Sequence, residues 1–197
     1  MSLNNLSKTI IRFLLLILIV PTLFIPTISN SSDLEIDNSE ISKSFDISNS
    51  YFYWPIPGYT RISSYFGKRN SPTAGASSFH QGIDIPAPNG TSLVAPFDSA
   101  VTFIGFKGSG GFTIILKCND IEFIYHHVSP KYIIQVGESV YSGQVIGQVG
   151  PKNVNGVKNN PYKDSSGNPT NGATTGPHLH FSIKKDGKAV NPLNYFT

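Results

Sequence analysis

The chain has one cysteine, Cys118, among 197 residues, which excludes an internal disulfide and any metal centre built on a cysteine cluster. Charged residues are sparse, at 14%. No basic run interleaved with aromatics occurs, so no nucleic-acid partner is expected. Coiled-coil heptads, internal repeats and long stretches of helical periodicity are also missing. The longest apolar stretch, residues 13 to 28, is shorter than the roughly 20 residues of a spanning helix and is broken by Pro21 and Pro26. A multi-span membrane protein is therefore not expected. Glycine is absent before Gly58 and frequent afterwards, a change of composition that marks where a folded domain starts.

The N-terminus has the pattern of an export signal. Lys8 and Arg12 precede the apolar residues 13 to 28, and Ser29-Asn30-Ser31 offers a small-x-small cleavage site. Residues 1–29 are read as a signal peptide or an N-terminal anchor. In the retained form, one span through residues 13–28 would leave the rest outside. The expected location is extracellular or in the cell envelope. Residues 30–50, rich in Ser, Asn and acidic side chains, read as a flexible polar stalk.

Residues 51–197 read as one domain. Apolar runs of strand length, 93–95, 101–106, 112–118, 121–128, 132–136, 145–149 and 181–183, alternate with turn residues such as Gly108-Ser109-Gly110-Gly111, Asn119-Asp120 and Asp186-Gly187. This pattern predicts a mainly β, antiparallel domain, expected as a monomer. Twelve Lys or Arg face seven Asp or Glu from Tyr51 onward, a positive balance suited to anionic surfaces. Cys118 shares strand parity with Phe112, Ile114 and Leu116 and is expected to be a small buried hydrophobe.

Four side chains in two short spacings suggest a metal. They are His80 and Asp84 in His80-Gln81-Gly82-Ile83-Asp84, and His178 and His180 in His178-Leu179-His180. Residues two or four apart on a strand project to the same face, so each pair can converge on one ion. Catalytic zinc takes three such donors and keeps a fourth position open. One histidine is then left for chemistry. On the second strand, Leu179, Phe181 and Ile183 fall on the opposite face and can enter the core. In Phe123-Ile124-Tyr125-His126-His127, the same parity groups His127 with Phe123 and Tyr125 and places His126 opposite. Only one of that pair is expected to serve the site.

The chain resembles the lysostaphin-type, LytM-like zinc endopeptidases of bacterial peptidoglycan. The resemblance rests on Ser63 to Arg69, the His80 to Asp84 box, Pro86 to Thr91, Tyr125 to Ser129, Gly137 to Val140, Gly143 to Gly147, Thr175 to Phe181 and Asn191-Pro192. These segments run collinearly over roughly residues 54 to 196, which is far more specific than one motif. The resemblance implies an open groove holding Zn2+ on His80, Asp84 and His180, with His127 and His178 catalytic and a peptidoglycan peptide as substrate. It departs from the family pattern at His126, where a small residue is usual, and at Val128, where Leu is usual. Tyr65 and Arg69 are candidate substrate contacts.

Residues 151–174 form a longer connection than the family usually has before the histidine strand. Loops of this length tend to be functional or disordered. The segment is expected on the groove rim, shaping substrate choice with Tyr162 a candidate contact, and a solvated insertion of no consequence is the alternative. A non-catalytic module binding the wall or a partner protein is the competing expectation, although no ligand position has been lost.

Overall fold

The structure is a computed structural model that describes residues 52–196. The expected export segment and stalk lie outside the described residues. Among the described residues, no helix is long and apolar enough to cross a membrane.

The strands, in chain order, are β1 (Gly67–Lys68), β2 (Phe79–His80), β3 (Ile83–Pro86), β4 (Ser92–Val94), β5 (Ser99–Phe106) and β6 (Phe112–Cys118), followed by β7 (Ile121–His126), β8 (Ser139–Val140), β9 (Val145–Gln148), β10 (His178–Lys185) and β11 (Lys188–Val190). The main sheet has the order β11-β10-β7-β6-β5-β8, with β3 also paired to β10. Every pairing is antiparallel, as expected from the turn-punctuated sequence. Two small sheets, β1-β2 and β4-β9, complete the fold.

Alternation along each strand builds the core. Ile114 and Leu116 of β6, Phe123 and Tyr125 of β7, and Leu179, Phe181 and Ile183 of β10 are all fully buried on one side of the sheet. Burying each such side chain stabilises the fold by about 1.5–3 kcal/mol. Trp54 packs on this core and meets Phe196 edge-on, so the aromatic start of the domain closes the core. Cys118 also packs against it, and burial pushes its thiol pKa up.

Two expected strands differ. Residues 132–136 form an irregular connection in which Ile133 and Val136 are exposed and Ile134 is buried, so their apolar content does not alternate toward one face. The strand expected to reach Val128 stops at His126, because His127 adopts φ 59° and leaves the extended conformation. The expected turns hold. Gly108–Gly110 forms a 3-10 turn between β5 and β6, and Asn119, a residue tolerant of positive φ, turns β6 into β7 at φ 51°.

β10 is hydrogen-bonded on both flanks. His178–Phe181 pair with β3, and His180–Lys185 pair with β7. His180 thus lies directly between Asp84 and His126, and side chains paired across strands share a face. The core face anchors β10 while His178, His180 and Ser182 are left on the other.

Candidate metal centre

Three donor atoms meet where β2, β3 and β10 adjoin. His80 Nε2 lies 3.1 Å from Asp84 Oδ1 and 2.9 Å from His180 Nδ1, and His180 Nδ1 lies 2.8 Å from Asp84 Oδ1. Among the described residues, these three form the one group of His, Cys, Asp or Glu able to hold a metal ion. The spacing expected from sequence therefore does bring His80, Asp84 and His180 together.

The outer contacts of each ring decide which nitrogens face inward. His80 Nδ1 donates to the Tyr65 carbonyl at 2.9 Å, and His180 Nε2 donates to Ser182 Oγ at 2.9 Å. With those protons directed outward, His80 Nε2 and His180 Nδ1 present lone pairs to each other and to a carboxylate. Such crowding is repulsive unless a cation sits among the donors. The donor separations lie a little inside the roughly 3.3 Å that three tetrahedral zinc ligands would show. The residues present thus fit zinc in both chemistry and spacing.

Asp84 is held ionised. In the metal-free protein, with protons instead on the inward imidazole nitrogens, burial opposes its charge, but hydrogen bonds from His180 and His80, and the charges of His180 and His178, outweigh that and keep its pKa well below the usual carboxylate range. Arg69 Nη1 donates to the other oxygen, Oδ2, at 2.9 Å and to Ser64 Oγ at 2.6 Å. Arg69, a candidate substrate contact, lines the groove but has this partner within the protein. Its charge is already engaged by Asp84, and it orients a ligand from outside, as outer partners of metal ligands do. Gly82 matters for the same reason. A Cβ there would strike the Phe181 carbonyl and lie 2.9 Å from His180 Nε2, so only glycine admits the His180–Ser182 pair.

His127 and His178 flank this centre, with ring centroids 4.7 Å apart. His127 Nδ1 donates to the Asn171 carbonyl at 2.6 Å, and His178 Nδ1 donates to the Gly176 carbonyl at 2.8 Å. A carbonyl oxygen only accepts, so in each neutral ring Nε2 is left without a proton. His178 Nε2 is 3.7 Å from Asp84 Oδ1. Both histidines, with Asp84, His180 and Arg69, line a groove of about 480 Å³.

His126 follows strand parity, and His127 departs from it. His126 pairs across from His180 and lies 5.2 Å from it between ring centroids, on the site face, while Phe123 and Tyr125 enter the core. The left-handed turn at His127 brings the next side chain back to the same region. Both members of the pair therefore lie near the site, but only His127 lines the groove. His126 Nδ1 bonds Thr113 Oγ1 at 2.8 Å. The signal missed in the sequence is the end of β7, one residue before the break in alternation.

The insertion is folded. Asp164 accepts from the backbone N–H of Ser166 and Asn168 and from Asn153 Nδ2, and isolated bridges join Asn153 to Thr170 and Lys163 to Pro169. Its distal end reaches the groove at Ala173, while Thr175–His178 continue the wall. Tyr162, the candidate substrate contact, is not in that wall. Its ring lies against Gly75, where a Cβ would come within 2.7 Å, and so braces the insertion against the 71–77 loop. Tyr65 is 62% exposed beside the site, and its carbonyl fixes His80.

Acid should weaken this arrangement. Burial, then the neighbouring charges of His178 and His180, lowers the His127 pKa to about 3, and burial lowers those of His126 and His180 too. Unfolded histidine titrates near pH 6.5. Above that pH neither state binds the proton, but below it only the unfolded state does. Stability of the zinc-free protein is therefore expected to fall between about pH 6.5 and 3, by up to about 1.4 kcal/mol per pH unit for His127 alone. Thermal melts at pH 7.5 and 5 check this, and equal midpoints would contradict it.

A family profile described as Peptidase family M23 matches residues 78–192. The DD-carboxypeptidase/endopeptidase Mpg of Neisseria meningitidis is 36% identical over 137 residues, covering 69% of this chain and 27% of Mpg. The murein hydrolase activator NlpD of Salmonella dublin is 29% identical over 172 residues, covering 86% of this chain and 36% of NlpD. This chain thus spans about a quarter to a third of the length of these relatives. The catalytic domain of lysostaphin from Staphylococcus simulans superposes with a TM-score of 0.54 at 26% identity, covering 70% of this chain and 91% of that domain.

Proposed function

From the premise that the chain belongs to peptidase family M23, we propose that it is a zinc-dependent endopeptidase cutting peptide bonds of bacterial peptidoglycan. The observation that carries this reading is the complete donor triangle of His80, Asp84 and His180 beside two histidines whose Nε2 atoms are free to accept. The relative Mpg is named for peptidase activity, and lysostaphin is a peptidase, which supports the same reading. Residues 51–197 are the proposed peptidase domain, 30–50 the stalk, and 1–29 the segment that sends it to the envelope or holds it at the membrane.

His80 Nε2, Asp84 Oδ1 and His180 Nδ1 would hold the ion. Zinc supplies Lewis acidity toward a carbonyl oxygen and toward water. His127 Nε2 takes the proton of the attacking water as its oxygen bonds to the scissile carbonyl carbon. The ring then gives that proton to the leaving nitrogen as the C–N bond breaks, which returns it to the neutral form. His178 orients the water through Nε2 in its neutral form. Donation to a developing oxyanion would require it to carry a second proton. Tyr65, exposed beside the site, is the proposed contact for the substrate chain.

NlpD is named an activator, which favours the second reading of a non-catalytic module. Chelation separates the two. A chelator is expected to stop release of peptide fragments from purified peptidoglycan, and one equivalent of zinc to restore it. A zinc-loaded protein that binds peptidoglycan without releasing fragments would overturn the enzyme reading.

A further inference from the structure

Asn171 is fully buried at the far end of the insertion and joins four separate groups. Its Oδ1 accepts from Phe112 N–H at 2.7 Å, and its Nδ2 donates to the Val128 carbonyl at 3.0 Å. Its own N–H donates to the Lys152 carbonyl at 2.8 Å, and its carbonyl takes the His127 Nδ1 proton at 2.6 Å. We propose that Asn171 is the positioning residue of His127, fixing which ring nitrogen stays free for proton transfer. The proposal rests on His127 being the base in the reading above.

The side chain and the backbone of Asn171 act as one clamp. The amide group secures the first residue of β6 and the residue after His127, which places the Asn171 carbonyl opposite the ring. Only a side chain with an acceptor and a donor on one short planar group satisfies both partners. Apolar replacements leave Phe112 N–H and the Val128 carbonyl unpaired in the interior, and Asp sets a carboxylate oxygen against that carbonyl.

The surroundings leave the clamp little room. His127 holds φ 59° through bonds of its N–H to the Gly110 carbonyl and of its carbonyl to Gly150 N–H, both 2.8 Å. A Cβ on Gly150 would lie 2.6 Å from Asn171 Nδ2, and one on Gly111 would collide with the Asn171 carbonyl. With the backbone of His127 turned and its ring reaching a residue 44 positions later, the ring's orientation depends on Asn171. His178 differs, because its acceptor is the carbonyl of Gly176 only two residues before it. Loss of the Asn171 contact frees His127 to carry its proton on Nε2, where it can no longer accept one.

The test is ring nitrogen NMR and peptidoglycan hydrolysis on the zinc-loaded full chain and on Asn171→Ala. The variant is expected to keep one zinc per chain and to lose roughly 10- to 100-fold in kcat, the usual scale for an outer orienting contact. KM should change by less than about twofold, since ground-state binding is not touched. The His127 ring is expected to shift from the Nδ1–H form toward a mixture, while His178 stays unchanged as an internal reference. Lys158→Ala, on the exposed part of the same insertion, should alter neither readout.

An unchanged His127 form together with unchanged kcat would overturn the proposal. So would a wild-type His127 protonated on Nε2, whatever the variant does. If Asn171→Ala does not fold, Asn171→Asp takes its place in the same measurements, since it keeps the acceptor for Phe112 N–H. If the wild type cleaves no peptide, the ring measurement still decides the role of Asn171, and the failure falls on the hydrolase reading alone.

Discussion

Replacing His180 with alanine is expected to give a folded protein that neither retains stoichiometric zinc nor releases muropeptides. His180 supplies one of three inward donors, and two donors make a poor zinc site. The loss should exceed the roughly 10- to 100-fold that outer partners of metal ligands contribute. The fold should survive, because β10 is anchored by Leu179, Phe181 and Ile183 on the opposite face. Metal analysis after gel filtration measures the first effect. Thermal melts give an independent check, since saturation at a thousand times Kd stabilises a protein by about 4 kcal/mol. Zinc should raise the melting temperature of the wild type and leave that of His180→Ala where it was. A variant that still binds one zinc would contradict the assigned donor set.

His127→Ala is expected to separate chemistry from metal binding. It removes a side chain that reaches the groove without touching the donor triangle, so zinc content should stay at one per chain. A positioned acid–base group typically contributes a factor of about 100 to 10,000, and kcat should fall by that order with a small change in KM. His178→Ala provides the comparison. If orientation is its role, the loss is smaller and the rate retains the dependence on pH that His127 imposes. Steady-state rates on a defined muropeptide measure both. A larger loss in His178→Ala than in His127→Ala would exchange the two roles.

Much of this was legible in the residues because strand parity is a strong constraint. His178-Leu179-His180 could be read as two groove residues around a core residue, and Leu179 is fully buried. The His80 to Asp84 spacing worked for a less direct reason. His80 ends β2 and Asp84 lies within β3, so the two converge across a turn and not along one continuous strand. Parity failed at His127, a left-handed residue that ends the alternation. It also failed at residues 132–136, whose apolar content resembles a strand but has no partner. The partners of Arg69 and Tyr162 were not legible, because a sequence shows a charge or a ring but not what it packs against. Asn171 gave no signal at all, since its value lies in bonds to segments 43 to 59 positions away.

The donors of the metal triangle are 96 and 100 positions apart where β10 meets β2 and β3. No fragment ending before Pro177 can assemble it, however well the earlier hairpins form. Drawing together the two ends of so long a segment is entropically costly, and an ion that bridges them offsets part of that cost. Pairing of β10 and assembly of the donor triangle are thus coupled in this domain. On the proposed reading, a chain still crossing an export channel would lack the complete donor set until its last long strand had paired.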